Sequence, residues 1–139
     1  MKKEEILAKC NAMCKNNLME TLNIEFIEIG EDFVTARMPV NSKVHQPDGV
    51  LHGGASVALA ESVGSMASHI FLDSSEFYIR GIEISANHLK SIKEGEVFAK
   101  ATFIHKGQTT QLWEIRITDS ENSLISLVKL TTIALPKNK

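Results

Sequence analysis

One segment limits what this chain can fold into. Between residues 45 and 70 a turn-rich loop runs into a stretch whose apolar residues recur at helical spacing. Gln46, Pro47, Asp48 and Gly49 are turn formers. Gly53 and Gly54 let the backbone turn sharply and approach a neighbour closely. Beyond them, Leu59, Val63, Met66 and Ile70 follow at i, i+4, i+7 and i+11 and make one apolar stripe. The opposite side carries Ala58, Glu61, Ser62, Ser65 and Ser68, all small except for one carboxylate. So few positions suit water that a helix over 52–71 is expected to be buried on most sides. The rest of the chain must wrap around it.

Glu61 is the anomaly in that helix. No Lys or Arg occurs between Lys43 and Arg80, so no cation is close in sequence to pair with it. Carboxylates are seldom buried without a partner, and burial disfavours their charged form. A carboxylate so placed near a glycine-rich helix start is a candidate general base or nucleophile. The helix start adds free N–H groups and a positive dipole end, which suit a developing oxyanion. The alternative is that Glu61 reaches solvent or a subunit interface and does no chemistry.

The remaining segments read as one small α+β domain over residues 1–139. Residues 1–20 hold an amphipathic helix, with Ile6, Leu7, Cys10, Met13, Cys14 and Leu18 on one face. Strands follow at Ile24–Ile29, with a parity shift between Phe26 and Ile27 that suggests a bulge, and at Phe33–Val40. After the central helix come strands at Tyr78–Leu89, from about Val97 to Phe103, around Trp113–Ile117 and at Leu124–Ile133. Short turns such as Lys93-Glu94-Gly95 separate these four, which predicts antiparallel neighbours. A curved antiparallel sheet wrapped around one apolar helix is the natural packing. That is the hotdog architecture.

Composition excludes some functions. A formal net charge of −2 gives no basic footprint for nucleic acid. No apolar run is long enough to span a bilayer, and Met-Lys-Lys-Glu-Glu leads into no signal-peptide core. Cys10 and Cys14, four apart on one helix, suit neither a disulfide nor zinc and read as reduced thiols of a cytoplasmic protein. His45, His52 and His69 are metal-ligand types without diagnostic spacing.

The stretch Gln46-Pro47-Asp48-Gly49-Val50-Leu51-His52-Gly53-Gly54-Ala55-Ser56, with Leu59-Ala60-Glu61-Ser62-Val63-Gly64-Ser65 after it, resembles the hotdog acyl-CoA thioesterases. It is close to the pattern of the branch acting on 4-hydroxybenzoyl-CoA and 1,4-dihydroxy-2-naphthoyl-CoA. Gly81-Ile82-Glu83-Ile84-Ser85-Ala86-Asn87-His88-Leu89-Lys90-Ser91 matches that branch's next signature, and Leu130-Thr131-Thr132 also fits. The resemblance implies Glu61 as nucleophile or general base, the Gly53 N–H as oxyanion donor, and Ser65 as the residue positioning water. It gives Gln46 and His52 the task of orienting the thioester or the loop. His52 reads equally well as a residue that only holds the turn through backbone hydrogen bonds.

By the same resemblance Gly81, His88, Leu89, Lys90, Ser91, His105, Lys106, Gly107, Gln108, Thr109 and Thr110 contact coenzyme A. Taken alone, the last two segments read as solvated hairpin ends, and Gln108-Thr109-Thr110 lacks the arginine of many relatives. The resemblance further implies no metal or redox cofactor, with coenzyme A entering as part of the substrate. It implies a dimer with shared active sites, usually joined as a dimer-of-dimers tetramer. An aromatic or medium-sized acyl group is expected, with pocket walls from residues such as Phe71, Tyr78 and Ile82. Two rivals differ in class. A non-catalytic acyl-CoA-binding module would not need Glu61 or Ser65, and a dehydratase would want an Asp/His pair that the loop lacks.

Overall fold

The computed structural model describes residues 2–137, so the tail beyond Lys137 lies outside the described residues. Six antiparallel strands form one sheet, and one long helix lies across it: β1 (Glu25–Ile29), β2 (Phe33–Val40), α3 (Gly53–Phe71), β3 (Phe77–His88), β4 (Gly95–Lys106), β5 (Thr110–Thr118) and β6 (Leu124–Pro136). This is the expected hotdog arrangement. The expected bulge is present, since the β1–β2 register shifts between Phe26 and Glu28.

The N-terminal segment departs from the single helix expected over 1–20. It is two helices, α1 (Lys3–Ala12) and α2 (Leu18–Thr21). Asn16 takes a left-handed φ of 61°, a conformation that asparagine tolerates better than most residues. The Asn17 side chain then caps α2 by accepting the Met19 N–H at 3.1 Å. Asn11 ties α1 to the sheet: its amide donates to the Phe26 carbonyl at 3.0 Å and its oxygen accepts the Phe26 N–H at 2.8 Å. Polar groups on the edge strand β1 are thereby satisfied.

The strand order is β1-β2-β4-β5-β6-β3. The four last strands are therefore not consecutive neighbours. β4, β5 and β6 form a meander, but β3 pairs with β6 and lies at the sheet edge. Lys93-Glu94-Gly95 is the end of a crossover rather than a hairpin turn. The crossover follows from the helix: α3 covers the sheet, its C-terminal end delivers β3 to one edge, and the chain then crosses to begin β4 beside β2.

One face of α3 packs on the sheet through Leu59, Ala60, Val63, Gly64 and Ala67, all buried. A β-carbon built on Gly64 would stand 2.5 Å from Leu130 Cδ2, so helix and sheet meet closely there. A chain of buried polar groups crosses the same interface. Trp113 Nε1–H donates to Ser68 Oγ at 2.6 Å, and Ser68 Oγ lies 2.9 Å from Thr132 Oγ1. Thr132 donates to Gln111 Oε1 at 2.8 Å. The Thr132 proton is thus committed to Gln111, and the Ser68 proton points to Thr132. Phe71 joins this core, tilted against Phe103 and Trp113 at centroid distances of 6.1 and 6.4 Å. It does not line a pocket as expected. Ile82 lies exposed on β3, and only Tyr78 of those three residues lines a cavity. No helix among the described residues is long and apolar enough to cross a membrane.

Candidate active site

Most of the sequence-predicted site residues fall into two groups, one at the start of α3 and one about two turns along it. At its start, Gln46, Gly53, His88, Leu89, Lys90 and Ser91 line one cavity of about 350 Å³. The loop before the helix is held by backbone bonds: Gly49 N–H donates to the Gln46 carbonyl at 2.9 Å, and Gln46 N–H to Val50 at 2.8 Å. Gly49 has φ of 80°, which accounts for glycine in this turn. Gln46 Oε1 accepts the Asp48 N–H, which leaves its amide hydrogens free to donate elsewhere.

His52 is the N-cap of α3. Its Nδ1 accepts the Gly54 N–H at 2.8 Å, the backbone-holding role foreseen as one of two alternatives. Nε2 is left over for any further contact. The Gly53 N–H, first in the helix, has no hydrogen-bond partner among the described residues. His88 covers it from β3: a β-carbon on Gly53 would stand 2.8 Å from His88 Nε2. His88 is itself fixed, its Nδ1 lying 2.7 Å from Oγ of the buried Ser126.

Two turns further along the helix, Glu61 and Ser65 line a larger groove of about 600 Å³. Glu61 is exposed in the single chain, not buried as expected. The physical reason is where the sheet ends. β3 is the edge strand of the sheet, and Gly81 on it, without a side chain, lies against the carboxylate. The groove's apolar walls include Met66 of α3, Phe77 and Tyr78 of β3, and Met13, Leu18 and Met19 from the α1–α2 connection. Sequence reasoning did not foresee that last contribution. Its signal was present: Met13 and Leu18 are large apolar residues flanking an asparagine pair, and they remain 46% and 58% exposed.

The His105–Thr110 segment spans the β4–β5 turn, with His105 and Lys106 ending β4 and Thr110 opening β5, and lines neither cavity. Thr110 pairs with Ile133 of β6, and Ile133 pairs with Arg80 of β3. His88 pairs with Ser126 at the other end of β6. Seven residues of strand separate these points, roughly 23 Å. Gly53 and Glu61 lie eight residues apart on α3, about 12 Å along its axis. One chain therefore brings Gln46, Gly53 and His88–Ser91 together, and Glu61, Ser65 and Gly81 together, but not the two sets with each other. His45 is engaged separately, its Nε2 bonding the Lys93 carbonyl at 2.7 Å. Among the described residues no three His, Cys, Asp or Glu side chains converge as a metal site.

Residues 48–126 match the family described as Thioesterase superfamily. The chain is 42% identical over 134 residues to the 1,4-dihydroxy-2-naphthoyl-CoA hydrolase of Escherichia coli K12, covering 96% of this chain and 98% of that one. It is 38% identical over 134 residues to the proofreading thioesterase EntH of Cronobacter turicensis, covering 96% and 97%. The crystal structure of a mutant thioesterase from Pseudomonas aeruginosa is similar at 44% identity and a TM-score of 0.91, covering 94% of both chains.

Proposed function

The chain belongs to the thioesterase superfamily and is a thioester hydrolase, and from that premise we propose that it cleaves an aromatic or medium-sized acyl-CoA at a site shared between two copies of itself. The observation that carries this reading is the division of the site. Glu61, Ser65 and Gly81 lie too far from Gln46 and Gly53 to act on one thioester within a single chain. The outer edge of β3 has no neighbour among the described residues, and a free edge of this length invites pairing. Antiparallel pairing of β3 with its own copy sets the 77–81 end against the partner's 85–88 end. Glu61 then faces the partner's Gly53, and the β4–β5 turn faces the partner's His88. Coenzyme A would lie across that junction, contacting Gly81, Lys90, Ser91 and the turn Lys106–Thr110. Two such dimers would join as a tetramer.

The chemistry follows from these positions. The unpartnered Gly53 N–H binds the thioester oxygen and stabilises the oxyanion as it forms. The free amide hydrogens of Gln46 supply a second donor. Glu61 then acts in one of two ways. It takes a proton from a water that attacks the carbonyl carbon, or it adds to that carbon itself to give a mixed anhydride that water hydrolyses. In both cases the C–S bond breaks, the thiolate leaves as coenzyme A, and the acyl group departs as the acid. Ser65, one turn beyond Glu61 on the same helix face, positions the water. No metal or redox cofactor is required. Two buried free thiols suit a reducing cytoplasm. The Escherichia coli relative makes 1,4-dihydroxy-2-naphthoyl-CoA the first substrate to try, and the Cronobacter relative makes a proofreading role the second.

Mixing two inactive variants tests the shared site. Glu61→Gln and Gln46→Ala are each expected to lose thiol release. Dissociated and reassociated in equal amounts, half of the dimers are mixed, and each has one intact site, so ~25% of wild-type activity returns. No recovery on mixing means that each site is built within one chain.

A further inference from the structure

We propose that His69 sets acyl specificity by accepting a hydrogen bond from a hydroxyl at the end of an aryl acyl group remote from the thioester. The inference rests on the catalytic reading above, which fixes the reacting carbon beside Glu61. From there the groove runs along α3. Glu61, Ser65 and His69 stand at i, i+4 and i+8, on one helix face, and all three line it. His69 lies about 12 Å beyond Glu61 along the axis. Side-chain contacts at both ends take up about half of that length. The remaining gap matches a hydroxyl on the far side of one or two fused aromatic rings.

Three observations point to a polar contact there. His69 is exposed in the groove, and its ring nitrogens have no partner among the described residues, whereas His45, His52 and His88 each have one engaged. The same groove offers Met66, Phe77 and Tyr78 as apolar and aromatic walls for a flat ring, beside the polar Asn17 and Ser74. The groove also carries more positive than negative side chains. Glu61 is the one carboxylate among the described lining residues, while Arg80 and Lys137 also line the groove and each stand 5.2 Å from the Tyr78 ring centroid. A phenolic hydroxyl, an acidic donor, suits a groove with these cations better than an unsubstituted ring does.

The test compares 6-hydroxy-2-naphthoyl-CoA with 2-naphthoyl-CoA as substrates, and the same pair as inert analogues with the carbonyl replaced by methylene. Wild type is expected to favour the hydroxylated member by about tenfold in kcat/KM and in Kd, the value of one hydrogen bond. His69→Phe keeps a ring but removes the acceptor and should abolish the preference. His69→Gln, which retains an acceptor, should restore part of it. If His69 serves only as a cation at the helix C-terminus, both variants lower the melting temperature and the preference survives, which overturns the proposal. An equal loss for both ligands, or no preference in wild type, overturns it as well. The analogues separate the two readings. A His69-dependent binding preference without thiol release defeats the catalytic reading alone, and thiol release without preference defeats this one alone.

Discussion

Gly81 lies directly against Glu61: a β-carbon added to Gly81 would stand 2.8 Å from Glu61 Oε2. The two residues come from different elements, β3 and α3, and the missing side chain is what leaves the carboxylate its space. Gly81→Ala is therefore expected to push the Glu61 carboxylate aside. That carboxylate is the far end of a flexible, exposed side chain, so the fold should tolerate the change. Thiol release should fall roughly 10–100-fold, since small misplacements of a reacting group are costly, with the melting temperature within about 2 °C of wild type. Equal activity in both proteins would mean that the carboxylate position is not critical.

Removing the carboxylate itself is the stronger change. Glu61→Gln keeps the size and should lower kcat on the order of a thousandfold or more, with acyl-CoA binding retained. Single-turnover hydrolysis in heavy-oxygen water then distinguishes the two routes. Label in the enzyme's own Glu61 shows a nucleophilic carboxylate, with water attacking the Glu61 carbonyl of the anhydride; label found only in the product acid over repeated single turnovers counts against that route.

The buried chain Trp113–Ser68–Thr132–Gln111 has each of its protons assigned. Thr132→Val keeps the shape but strands Gln111 Oε1 and the Ser68 proton in the core. About 1–3 kcal/mol of stability should be lost, read as a lower urea midpoint with an unchanged slope. Trp113→Phe removes only a donor from the end of the chain and should cost less through its polar atoms, though it also leaves a cavity.

Cys10 and Cys14 should be inert in the folded protein. Burial, and next the neighbouring Cys14, push the Cys10 thiol up to about 11, and burial raises Cys14 as well. Because the thiolate is the reactive form, a thiol reagent at pH 8 is expected to label neither residue in the native protein and both after unfolding. Rapid labelling of the native protein would show that α1 opens from the sheet.

Local pattern carried much of this protein. The apolar repeat Leu59, Val63, Met66 and Ile70 announced α3, and the parity shift at Phe26–Ile27 announced the bulge in β1, because each depends only on which way successive side chains point. The Gly53-Gly54 helix start and the lone carboxylate at Glu61 stood out for the same reason. What needed the tertiary structure was every relationship between distant segments. Turn-like residues at Lys93-Glu94-Gly95 look the same whether they close a hairpin or end a crossover, so the β3–β6 pairing could not be read from them. The exposure of Glu61 depends on Gly81 lying over it at a sheet edge, and the groove depends on Met13, Leu18 and Met19 arriving from a helix break set by Asn16 and Asn17. Periodicity records how a residue sits relative to its own element; which other element it meets is decided by long-range packing, which one chain position does not encode.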